Sequence, residues 1–92
     1  MPKPRFPLGR IVATPGALEA LERNREAACT FLGRHQSGDW GDLETADRTE
    51  NDRAVIQAMR ILSAYRLTDG TRIWIITEAD RSSTCILLPD EY

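Results

Sequence analysis

Histidine and lysine are nearly missing from this 92-residue chain: His35 and Lys3 are the only residues of their kinds. A single histidine excludes a His-x-x-x-His metal pair. The two cysteines, Cys29 and Cys85, are too far apart for Cys-x-x-Cys and match no metal spacing. They are expected to be buried free thiols, since an unpaired cysteine behaves as a small hydrophobe. There is no glycine-rich phosphate loop, so neither a cofactor nor a metal is expected. Apolar runs fall far short of the ~20 residues that span a bilayer. No apolar N-terminal stretch suggests a signal peptide. A cytoplasmic protein is the expectation.

The remaining composition is that of a folded domain, 41% hydrophobic and 28% charged. Residues 1–92 are expected to form one small domain, with residues 1–8 as a proline-rich extended arm. A chain of this size has modest stability, on the order of 5–10 kcal/mol. The formal net charge is −2, which disfavours a general nucleic-acid binder. The charge is uneven along the chain. In residues 1–36, Lys3, Arg5, Arg10, Arg23, Arg25 and Arg34 outweigh three glutamates. In residues 39–52, Asp39, Asp42, Glu44, Asp47, Glu50 and Asp52 face Arg48 alone.

Local patterns set the expected elements. Arg10–Ala13 is a short β-prone run. Thr14 is a good N-cap, Pro15 suits the first helical position, and Ala17, Leu18 and Leu21 form an apolar stripe that Asn24 ends. A second helix is expected from about Arg25 to His35. A third follows in "ETADRTENDRAVIQAM", with acids in its first half and Val55, Ala58, Met59 and Leu62 as its apolar face. Beyond it, "RILSAYR", "RIWIIT" and "TCILLP" read as strands, joined by an Asp69-Gly70 turn and by "EADRSS". Trp74 is expected in the core. The class is α+β: a three-stranded antiparallel meander, four-stranded if Arg10–Ala13 joins, with two or three helices packed on one face.

"HQSGDWGDL", residues 35–43, concentrates the unusual residues. His35 with Asp39 or Asp42 could serve as a general base, but no nucleophile accompanies it. The alternative is a histidine that favours the end of a helix dipole. Trp40, between two glycines, is either an anchor for the turn or a partner contact. The acids do not make an EF-hand loop: counting from Asp39, the third position is Gly41 and the sixth, which needs glycine, is Glu44. They are either a solvated helix start or a docking patch. Lys3, Arg5 and Arg10 could touch nucleic acid as a basic arm.

Three longer stretches, "FPLGRIVATPGALEAL", "FLGRHQSGDWGDL" and "IWIITEADRSSTCILLPDEY", resemble a family of small bacterial proteins found on plasmids and other mobile elements. Within them "GDWGDL" and "WIITEADRS" are the specific parts. Some members carry the label of a type I restriction-system modification subunit. That activity does not transfer, because the chain has no Asn/Asp-Pro-Pro-aromatic motif and no room for a cofactor domain. The resemblance implies a mobile-element setting, in which small acidic proteins sometimes inhibit host defence complexes. The leading expectation is a non-enzymatic binding protein that docks a host or element protein through Asp39, Trp40, Asp42, Glu44, Asp47 and Glu50. A small enzyme built on His35 and an accessory nucleic-acid binder are the alternatives.

Overall fold

The structure, a computed structural model, describes residues 3–92. Met1 and Pro2 of the expected arm lie outside the described residues. The elements are β1 (Arg10–Ala13), α1 (Pro15–Arg23), α2 (Ala28–Gln36), α3 (Thr45–Gln57), β2 (Ile61–Arg66), β3 (Arg72–Thr77) and β4 (Ser83–Leu87). A 3-10 turn at Pro89–Glu91 follows. The class is α+β, with three helices and a four-stranded sheet in the order β1-β4-β3-β2.

The meander β2-β3-β4 is antiparallel as expected, with Ile75 opposite Ser63 on one side and Ile86 on the other. β1 adds the fourth strand, and it runs parallel to β4. The sheet is therefore mixed. The reason is topological: β1 reaches β4 only through the whole α1-to-β3 excursion, a connection long enough for parallel pairing.

Side chains alternate across the sheet. Tyr65, Ile73, Ile75 and Ile86 point to the face covered by Ala17, Ala20 and Leu21 of α1 and by Phe31 and Leu32 of α2. Ile73 and Ile75 are 0% exposed. Each such isoleucine contributes about 2–3 kcal/mol of hydrophobic stabilisation. A second cluster joins Phe6, Trp40, Ala54 and Ile61. Phe6 is thus docked, and its carbonyl accepts from Gln36 Nε2 at 2.8 Å.

α1 is built as its caps imply. Thr14 Oγ1 accepts from the Ala17 amide, and Asn24 ends the helix with its Nδ2 on the Ala20 carbonyl. Leu18, expected in the buried stripe, is 53% exposed, and Ala20 takes its place. α2 starts at Ala28 instead of Arg25, because Arg25 adopts φ 54°, which ends one helix and redirects the chain before the next. The short link between helices is thereby a corner and not a kink.

α3 lies beside β2, and its expected apolar face is not the one it buries. Asn51 and Ala54 are its buried residues. Ala58 turns into the left-handed region, so Met59 leaves the helix axis and is half-exposed. Trp74 is likewise not in the core. It lies on the sheet face away from α1 and α2, half-buried, with its ring edge-on to Tyr92 at 5.8 Å. Cys29 is exposed and Cys85 half-buried; both are free, so burial of Cys29 does not occur.

The Asp69-Gly70 turn forms a loop closed by the Leu67 amide on the Thr71 carbonyl, with Gly70 at φ 91° in the left-handed region. Asn24 Oδ1 accepts from the Asp69 amide, and Arg23 Nε pairs with the Asp69 carboxylate at 3.1 Å. The helix corner therefore holds the hairpin tip. The bonds from Thr71 first, and that from Arg23 after them, keep the Asp69 carboxyl well below its ordinary range.

Candidate functional site

"HQSGDWGDL" folds as a connector that closes the open side of β2. Gly41 pairs with Ala64 as an isolated parallel bridge. The Ala64 amide donates to the Trp40 carbonyl, and the Asp42 amide donates to the Ala64 carbonyl at 2.6 Å. Gly41 sits at φ 74°, and a Cβ there would strike the Ala64 carbonyl and the Tyr65 ring. Glycine is required on both counts. One residue pair further along, Asn51 continues the cover. Its Nδ2 donates to the Leu62 carbonyl at 2.6 Å and its Oδ1 accepts from the Leu62 amide at 3.2 Å. An asparagine side chain thus stands in for a neighbouring strand, which removes an edge that could pair with other chains.

Trp40 is the anchor of this connector. It is 4% exposed and stacks on Phe6 at 6.2 Å, with its Nε1–H on Asp52 at 3.1 Å. Burial removes it from the expected contact surface: a partner cannot reach a ring already held by Phe6 and His35.

His35 is 0% exposed. Its Nδ1 lies 2.5 Å from Ser63 Oγ and its Nε2 lies 2.9 Å from Thr77 Oγ1. The proton positions follow from one fixed end. Thr84 Oγ1 donates to the Leu8 carbonyl, which can only accept. Thr84 must therefore accept from Thr77, 2.7 Å away. Thr77 must then accept from His35 Nε2–H, and Nδ1 accepts from the Ser63 hydroxyl. The ring is neutral, with its proton on Nε2. Burial, with a smaller contribution from the Arg81 charge, lowers its pKa to about 4. A helix-end cation is not what this residue supplies. Asp39 and Asp42 do not join it either: Asp39 pairs with Arg34 at 2.6 Å, and Asp42 lies 3.4 Å and 3.6 Å from Arg66 and Arg72.

The acidic residues divide into two groups. Asp39, Asp42 and Asp52 are engaged with arginines, Asp52 receiving Arg5 Nη1 as well as Trp40. The Arg34 hydrogen bond holds the Asp39 carboxyl below its usual range. Arg34 also lies over the Tyr65 ring at 4.6 Å. Burial pushes the Tyr65 hydroxyl up to about 12, and it donates to the Asp39 carbonyl. Glu44, Asp47 and Glu50 form the second group, on or just before the first turns of α3, all exposed. Glu50 has a neighbour in Arg53 at 3.3 Å, an exposed pair of small energetic value. Glu44 and Asp47 make no ion pair among the described residues.

Beside this second group lies a cavity of about 250 Å³ lined by Leu43, Asp47, Glu50, Asn51 and Leu62. Its lining thus combines two leucines with two carboxylates. The Asn51 amide is occupied by the Leu62 backbone. The volume is below that of ordinary small-molecule sites, which run from about 300 Å³ upward. It suits one long side chain with an apolar stem and a cationic head.

The basic arm does not act as one unit. The Arg5 amide donates to the Gln36 carbonyl, its guanidinium reaches Asp52, and Arg10 is already in β1. Lys3 is exposed.

Sequence reasoning did not single out Ser63, Thr77 or Asn51, and it read Arg81 and Thr84 only as part of a charged, hydroxyl-bearing turn after the central strand, with no base at fixed spacing. A signal for three of them was present: Ser63, Thr77 and Thr84 sit in phase with the buried Tyr65, Ile75 and Ile86, and a hydroxyl at a core position asks for a partner. Arg81 of "ADRSS" donates to the Ala54 and Met59 carbonyls at 2.8 Å and 2.6 Å, closing the C-terminal end of α3. It also lies over Phe6 at 5.5 Å. Among the described residues no group of three or more His, Cys, Asp or Glu could hold a metal ion, and no helix is long and apolar enough to cross a membrane. Comparison of the chain with protein-family models, with curated proteins and with solved structures finds no match.

Proposed function

We propose that the protein is a binding module that docks a basic segment of another protein on the N-terminal half of α3. The coincidence of the cavity with Asp47, which has no ion pair among the described residues, and with the exposed Glu50 carries this reading. Leu43 and Leu62 would take the methylene stem of a lysine or arginine, and Asp47 and Glu50 would receive its charge. The α3 dipole already favours negative charge at this end, so the acids are held there without an internal partner for Asp47. The docking residues are thus Glu44, Asp47 and Glu50 with Leu43 and Leu62. Asp39 and Asp42 contribute only through arginine-bound carboxylates, and Trp40 supports the surface from beneath.

The resemblance to proteins of plasmids and mobile elements supports a partner that handles nucleic acid, in the host or on the element. A basic groove built for phosphates would accept such an acidic surface, and occupying it would inhibit the complex. The setting would be the cytoplasm, where Cys29 and Cys85 stay reduced. The rivals have less support. A catalytic His35 lacks access and its carboxylates, and the residues of the basic arm are dispersed.

The test is Asp47→Asn with Glu50→Gln, assayed on a partner isolated by pull-down. Complementary charge acts mainly on association. The double substitution should slow association by about tenfold at low salt and flatten the salt dependence, with unchanged thermal unfolding. Unchanged association rate and salt dependence would sink the reading.

A further inference from the structure

The two edges of the sheet differ. The β2 edge is covered by Trp40, Asp42 and Asn51 of the same chain. Among the described residues nothing pairs with the β1 edge. In the parallel ladder with β4, Arg10 donates to the Ser82 carbonyl and Thr14 to the Ile86 carbonyl. Alternate residues of a parallel strand face its neighbour. The amides and carbonyls of Ile11 and Ala13 therefore point outward, with no partner among the described residues. Apolar side chains surround them: Ile11 is 51%, Val12 42% and Leu18 53% exposed.

We infer that β1 pairs antiparallel with β1 of a second copy, joining two sheets into one of eight strands. Self-complementarity decides the occupant. Only one register uses all four outward-facing residues of the two strands: Ile11 opposite Ala13 of the second copy, and Val12 opposite the second copy's Val12 on the two-fold axis. That register puts Arg10 opposite the second copy's Thr14. Thr14 holds Glu91, its Oγ1 donating to Glu91 Oε1 at 2.6 Å. Arg10 makes no ion pair within its own chain among the described residues. Two symmetric Arg10–Glu91 attractions arise, and no like charges oppose. Both α1 helices lie on the same side of the joined sheet, so Leu18 gains apolar cover that a lone added strand would not give. With β2 closed, the pairing ends at two copies and cannot grow into a filament. Each dimer would carry two α3 surfaces.

Sedimentation of the full chain up to millimolar concentration tests this. The wild type should run as a dimer. Val12→Lys sets two lysines face to face on the axis and should raise the dissociation constant by at least about tenfold, with unchanged circular dichroism. Val12→Cys, placed with Cys29→Ser and Cys85→Ser, should cross-link two copies on mild oxidation, because Cα atoms opposite each other in such a pair lie within disulfide reach. A monomer at every concentration, a dimer that Val12→Lys leaves intact, or a dimer whose Val12→Cys form does not cross-link overturns the proposal.

Discussion

Acidification from pH 7 to pH 5 isolates the buried histidine, because the chain has no other. His35 has a pKa of about 4 in the fold. In the unfolded chain it returns to an ordinary value of about 6.5. Between those two values the unfolded state binds a proton that the folded state refuses. Stability therefore falls as pH falls, with full loss reached below the folded pKa. The integrated difference is about 2 kcal/mol from pH 7 to pH 5 and about 3 kcal/mol in all. For a small domain of ~5–10 kcal/mol this is a large fraction. The carboxyls held below their usual range, Asp39, Asp69, Asp80 and Glu91, act lower on the scale, as they are protonated. The assay is urea unfolding at half-unit pH steps, paired with the imidazole proton shift by NMR. The expected slope near pH 5.5 is that of one proton, about 1.4 kcal/mol per unit. The imidazole shift should stay flat from pH 8 to pH 5, with nitrogen shifts of an Nε2–H tautomer. A His35 midpoint near 6.5 in the folded protein would refute both the burial argument and the hydroxyl relay through Ser63, Thr77 and Thr84.

Two further substitutions probe the connector. Trp40→Ala should cost about 3–4 kcal/mol in urea unfolding, as for aromatic truncations in cores, and an unchanged midpoint would remove Trp40 as the anchor of "GDWGDL". Asn51→Ala leaves the Leu62 amide and carbonyl without partners and should cost about 1–3 kcal/mol, with faster hydrogen exchange at Leu62; retained protection there would show that the β2 edge is closed by something else.

The strands of the meander were legible because β pairing leaves a two-residue rhythm and a turn chemistry in the chain itself. "RIWIIT" is apolar on both faces, and Asp69-Gly70 supplies the positive φ that the hairpin needs. The cap of α1 was legible for the same reason: Thr14 and Pro15 act within one turn. The docked Phe6 and the membership of β1 were open in the sequence, since an extended proline-rich run does not say what it lies against.

The α3 face was misread because a hydrophobic period assumes that a helix packs by apolar contact. Here α3 meets the sheet through Asn51, a polar side chain that completes a backbone ladder, and through the small Ala54. His35 looked like an exposed charge near two aspartates because sequence distance stood for spatial distance. The fold instead turns it inward to hydroxyls at positions 63, 77 and 84, which come together only when β2, β3 and β4 are paired. By itself, then, the sequence determined the α+β class, the meander and the first helix, all products of local spacing. Tertiary structure alone decided which acids find arginines, that Asp47 stands beside a cavity without an ion pair, and which edge of the sheet stays uncovered among the described residues. Each of those outcomes depends on residues far apart in the chain, whose meeting no local pattern records.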